Sequence, residues 1–165
     1  MMLFCKQELR KIMDQIGVRG RIYTSMKALE TSSAIEYGAI LFLKETVSRS
    51  TKSRRLKAED LNVRRFKVFD RTLRFMVSFG SASAAHTEAM YEAFMRNLPK
   101  GILDPQGNYI PIEIVEVDWM EKEDSILRSE LLVQMQILFE TGLYQDNNIL
   151  KVQDIHQEHE LIKEG

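Results

Sequence analysis

The chain has 165 residues, 44% of them hydrophobic and 28% charged, with a formal net charge of −1. This length suits one globular domain that buries its own core, and the near-zero charge gives no bulk bias toward nucleic acid or an anionic membrane. Cys5 is the single cysteine, so no intrachain disulfide is available, which points to a reducing compartment. The longest purely apolar run, Ala39 to Leu43, falls far short of the ~20 residues that span a bilayer. The N-terminus carries charge from Lys6 onward and lacks a signal-peptide core, so the expectation is a cytoplasmic protein with no membrane partner.

Leu3 to Ile16 reads as an amphipathic helix. Leu9, Ile12, Met13 and Ile16 repeat at helical spacing on one face, and Gly17 and Gly20 break the run. Arg21 to Ser33 carries a weak pattern, for which the reading is a short strand at Ile22–Tyr23 followed by a helical turn through Met26 and Leu29. Glu36 to Val47 reads as a strand with both faces partly apolar, which suits burial on two sides or packing in an oligomer. Ser48 to Asp60 (SRSTKSRRLKAED) is polar and reads as an exposed basic loop. Arg65 to Phe79 is the next strand, with Leu73, Phe75, Val77 and Phe79 on one face. The two strands are expected to form a long hairpin across the basic loop.

Ala84 to Leu98 reads as a helix capped by Ser83, with an apolar stripe of Ala85, Ala89, Met90, Ala93, Phe94 and Leu98. Pro99 and Gly101 end it. Asp104 to Asn108 (DPQGN) has the composition of a turn. Tyr109 to Met120 is a strand whose alternation slips by one residue near Ile114–Val115, which predicts a β-bulge, and Pro111 favours an edge or strand-end position. An acidic turn follows, then a strand from Leu127 to Phe139. The order predicts an α+β domain over residues 1–145. Its antiparallel sheet is built from two long hairpins, with two helices packed on one face, followed by a charged tail or arm over 146–165.

No phosphate-cradling loop, CxxC or HExxH motif is present. His156 and His159 sit three apart in the tail, a spacing that a metal pair could use but that lacks further ligands. His86 opens a helix without a nucleophile tied to it by motif, and Cys5 reads as a structural thiol. The carboxylates Asp118, Glu121, Glu123 and Asp124 could serve a small hydrolase, yet no base or nucleophile accompanies them, and a hairpin turn is where solvated charge belongs. The expectation is therefore no enzyme, no cofactor and no metal. The basic segment holds Arg49, Lys52, Arg54, Arg55 and Lys57, followed by Arg64, Arg65 and Lys67. Three readings stay open for it: a nucleic-acid contact, a plain solvated loop, or a docking loop for an acidic surface on a neighbouring copy. In the last, Glu121, Glu123 and Asp124 form the opposing surface of a heterologous contact.

The strings FKVFDRTLRFMVSFG, EAFMRNLPKGILDPQGNYIPIEI and VDWMEKEDSILRSELLVQMQILFETGLYQD, in that order, resemble tail proteins of contractile and siphophage-type prophages, and the arrangement is similar to the lambda-type tail terminator. The resemblance spans roughly residues 3 to 145 and rests on order and texture. It implies a homo-oligomeric ring, usually a hexamer, that ends the tail tube and joins it to the head. Its partners would be further copies of itself, the tail tube and head-completion proteins. Its location would be the host cytoplasm during assembly and then the virion tail. It implies no catalysis, and no site residue carries over from the family.

Overall fold

The computed structural model describes residues 1–18, 21–32, 34–57, 62–121 and 129–148. The elements in chain order are α1 (Met2–Gln15), β1 (Arg21–Tyr23), α2 (Met26–Glu30), β2 (Tyr37–Arg49), β3 (Ser53–Lys57), β4 (Asn62–Ser81), α3 (Ala84–Asn97), β5 (Gly101–Leu103), β6 (Tyr109–Glu121) and β7 (Leu131–Asn148). The strands form one sheet in the order β1-β2-β4-β7-β6-β5, with β3 also paired to β4. The expected hairpins are matched in part: β2 pairs antiparallel with β4 and β6 with β7, but β3 intervenes between β2 and β4, and the long β4–β7 pairing joins the two.

The sheet is mixed rather than wholly antiparallel, because β1 pairs with β2 in parallel. A three-residue strand carries too little pattern to announce its direction. The predicted slip in β6 is present as a register shift between Ile114 and Glu116. A second shift in β2, between Phe42 and Lys44, was not expected.

Strand alternation divides the buried residues into two layers. Leu73, Phe75, Val77 and Phe79 of β4 pack with Val133, Met135, Ile137 and Phe139 of β7 on one face. Helix α1 covers that face through Cys5, Leu9, Ile12 and Met13, and α3 through Met90 and Phe94. Phe75 stacks edge-on against both Phe42 and Phe139. Gly38 leaves room for α1 against the sheet: a Cβ there would overlap the end of the Met13 side chain.

The opposite face is not bare near its start. Helix α2 inserts Leu29 against Tyr23, Tyr37, Ala39, Leu41 and Leu132. The helices therefore cover both faces, where two helices on one face were expected. Ser25 caps α2, accepting a hydrogen bond from the Ala28 amide.

Helix α3 also turns a different side to the core than its alanines suggest. Ala85 and Ala89 are exposed, while Thr87, Met90 and Phe94 are buried. The Thr87 hydroxyl donates to the Leu131 carbonyl and accepts from the Ser81 amide, which fixes the helix rotation. Ser83 caps the helix as expected, accepting from the His86 amide.

Candidate subunit interface

The expected basic loop is largely strand. β2 continues through Arg49, three residues turn, and β3 runs from Ser53 to Lys57 against the start of β4. Ser50 donates its amide to the Val68 carbonyl, and Lys67 donates to the Lys52 carbonyl, so the crossover stays bonded to β4. Composition concealed this strand, since Ser, Lys and Arg dominate it and no apolar alternation marks it. β7 likewise continues nine residues past Phe139, to Asn148, and pairs with β4 throughout.

Three strands thus extend beyond the helices as an arm, made of β2 from residue 43 with β3, β4 up to residue 72, and β7 from residue 140. The change along β2 is abrupt. Residues 37–41 are buried, and residues 43–49 are all exposed.

The arm has two unlike faces. Cross-strand partners place Val47, Phe69 and Leu143 on the face that continues the α1 side. Val47 is 50% exposed and Leu143 46%, so this apolar surface is largely uncovered. Arginines border it: Arg49 lies 5.7 Å from the Phe69 ring centre and Arg64 4.9 Å from that of Phe66. Arg71 is paired there with Glu45.

The other face is polar. Arg65 makes a two-pronged contact to Asp146 at 2.7 and 2.6 Å. It also donates to the Gln106 carbonyl and to Asn108 Oδ1, tying the arm to the turn before β6. That turn is the expected one. Asp104 accepts from the amides of Gln106 and Asn108, and Gly107 takes a φ of 75° that a side chain would strain. Lys67 pairs with Asp70 at 2.6 Å. Hydrogen bonds from Arg65 and from Lys67 hold the Asp146 and Asp70 carboxyls, respectively, below their ordinary pKa.

Of the interface candidates named from sequence, Arg49 and Lys52 lie exposed on the arm, and Arg54, Arg55 and Lys57 lie on β3. Glu121 is exposed at the end of β6, and Glu123 and Asp124 lie outside the described residues. Among the described residues, the structure does not bring Glu121 together with the basic groups within one chain. They belong to opposite sides of the sheet, β2–β3 and β6. Sequence reading missed Glu113 and Glu116, which share the exposed surface of β6 with Asp118, and it missed the exposed Val115 and Trp119 beside them. Placing β6 near the sheet edge was the signal that could have found them.

The other chemical candidates gather nothing. Asp118 and Glu121 are three apart on a strand, so their side chains leave from opposite faces and do not converge. His86 borders a crevice with Glu36, Tyr37 and Ser81 that has room for no more than one water. The Ser81 hydroxyl is already bonded to Ser83 and Thr87. Cys5 is fully buried, and desolvation pushes its thiol up to about 11. Among the described residues, no group of three or more His, Cys, Asp or Glu could hold a metal ion. No described helix is long and apolar enough to cross a membrane.

No family model and no curated protein matches the chain. Among solved structures, the chain is similar to the sheath/tube terminator of an extracellular contractile injection system, PVC, in its extended state. The TM-score is 0.46 at 11% identity. The likeness covers 89% of this chain and 60% of that one, so this chain spans less than two thirds of its length. A likeness of that degree carries no weight for function.

Proposed function

We propose that this chain is a structural assembly protein of a phage or prophage tail, one that associates with further copies of itself into a ring at the end of the tail tube. The observation that carries this reading is the arm. A three-stranded ribbon with Val47, Phe69 and Leu143 on one face is a poor end-state for an isolated monomer, since large uncovered apolar surface on a soluble protein marks an interaction site. The resemblance of the three sequence strings to tail terminators supplies the class of assembly. A hexameric ring, contact with the tail tube and with head-completion proteins, and a place in the virion tail belong to the same proposal.

The internal partners of the basic segment disfavour a nucleic-acid module. Within that segment, Arg65 and Lys67 are each already paired with a carboxylate. Phosphate contacts by these cations would require those pairs to open. Light scattering of the full chain over a range of concentrations tests the proposal. The expected result is a discrete oligomer, or binding to purified tail tubes. A monomer at every concentration that ignores tail tubes would overturn it. Steeply salt-dependent binding to DNA would favour the other reading.

A further inference from the structure

Among the described residues, β2 and β6 each present a long unpaired edge. β1 pairs with β2 only at Tyr37–Ala39, and among the described residues no strand lies beyond β2 from Ile40 to Arg49. β5 pairs with β6 only at Tyr109–Pro111, and among the described residues no strand lies beyond β6 from Glu113 to Glu121. The two edges are of matching length, about 30 Å each at ~3.3 Å per residue. Long exposed edges invite pairing with another chain, and proteins normally blunt them with charge.

Here the charges are sorted by edge. β6 from 113 to 121 carries Glu113, Glu116, Asp118 and Glu121 and no cation. Positions 44 to 57, along β2 and β3, carry Lys44, Arg49, Lys52, Arg54, Arg55 and Lys57 against the single acid Glu45. Like edges therefore repel, and unlike edges attract. Each edge also shows two large apolar side chains to solvent. They are Leu43 (42% exposed) and Val47 on β2, and Val115 (48%) and Trp119 (42%) on β6.

Strand direction agrees with the charges. β2, β4, β7 and β6 alternate in direction across the sheet. A rotation about an axis along the strands preserves those directions, so β6 of one copy meets β2 of the next antiparallel. A two-fold pairing of β6 with β6, or of β2 with β2, would set like charges against each other.

We infer that the β6 edge, residues 113–121, pairs antiparallel with the β2 edge, residues 40–49, of a second copy of this chain, continuing the sheet from copy to copy. This rests on the self-association proposed above and names the surfaces that make it. The contact is heterologous, so it leaves an acidic edge at one end and a basic edge at the other until a ring closes. A polar row already crosses the sheet toward both edges. Lys44 neighbours Arg74 on β4, Arg74 donates to Gln136 on β7, and Gln136 donates to Glu116 on β6. Edge pairing would extend that row into the next copy.

The test uses two full-length variants with one edge reversed in each. Glu113→Lys with Glu116→Lys and Asp118→Lys leaves residues 113–121 with three lysines against Glu121 and makes both edges basic, and Lys44→Glu with Arg49→Glu leaves residues 40–49 with three acids and no cation and makes both acidic. Thermal melting checks that each folds. Should one fail to fold, Asp118→Asn or Lys44→Gln replaces it, with weaker assembly expected. Light scattering should show the wild type assembling, each variant needing at least ~10-fold more protein to assemble, and an equimolar mixture of the two regaining assembly, because each then meets an opposite edge. Assembly of either folded variant at wild-type concentrations, or no recovery on mixing, would overturn the edge pairing and leave self-association standing. A wild type that never assembles would remove both.

Discussion

The same three strands build two regions that behave differently. In the body, β4 from Leu73 to Phe79 and β7 from Val133 to Phe139 hold every inward side chain fully buried beneath α1 and α3. In the arm, the same strands stay paired, but Arg64 is exposed, residues 65–72 of β4 are only half-covered and β2 is exposed on both faces. The backbone ladder runs through both regions, with register shifts at Phe42/Lys44 and Lys67/Phe69 on the arm side. The difference is the absence of a second layer over the arm. Hydrogen bonding sets how long the strands run, while apolar burial sets which part of them stabilises the monomer.

The largest expected effect of that division is on stability. Phe75→Ala should destabilise the monomer by about 3–5 kcal/mol, because it leaves a cavity where Phe42 and Phe139 meet. Leu143→Ala, in the arm, should change monomer stability by less than ~1 kcal/mol while weakening assembly. Urea denaturation of dilute protein separates the two. Equal losses would erase the distinction between body and arm. Gly38→Ala comes next, at about 1–3 kcal/mol, since Met13 must move aside to admit the new methyl. Tyr37→Phe sharpens the comparison from the body's side. The Tyr37 hydroxyl is buried without a partner among the described residues, and burial raises its pKa. Its removal should be neutral or stabilising by up to ~1 kcal/mol.

Much of the body was legible in the sequence, and little of the arm was. The β4 face from Leu73 to Phe79 and the α1 face announced themselves because each has one covered side, which writes a clear period into the residues. The bulge near Ile114 was legible for the same reason, as a break in that period. β3 was not, because its residues, SRRLK, show no apolar alternation and composition alone suggests a loop. The orientation of α3 was misread because small alanines mimic an apolar stripe, while Thr87 reaches the core through hydrogen bonds. The proposed interface was half legible. The charges were visible, but their sorting onto opposite sheet edges depends on strand order, which no local pattern records.

The smallest expected effect concerns the arm's polar face. The Asp146 carboxyl is held low by Arg65, so this contact stabilises above the ordinary carboxylate value of 3.8 and is lost as pH falls through the lowered one. In Arg65→Met, an NMR titration should find the Asp146 midpoint moved back up toward that value. An unmoved midpoint would mean that Arg65 does not hold Asp146 across β4 and β7.

The central claim is that the arm is completed by other copies of the chain. Amide hydrogen exchange in dilute and concentrated protein tests it most directly. The prediction is that amides of residues 43–49, 64–72 and 140–147 exchange quickly in dilute protein and become protected on concentration, while those of 73–81 and 131–139 are protected in both. Arm protection that is the same at every concentration would contradict it.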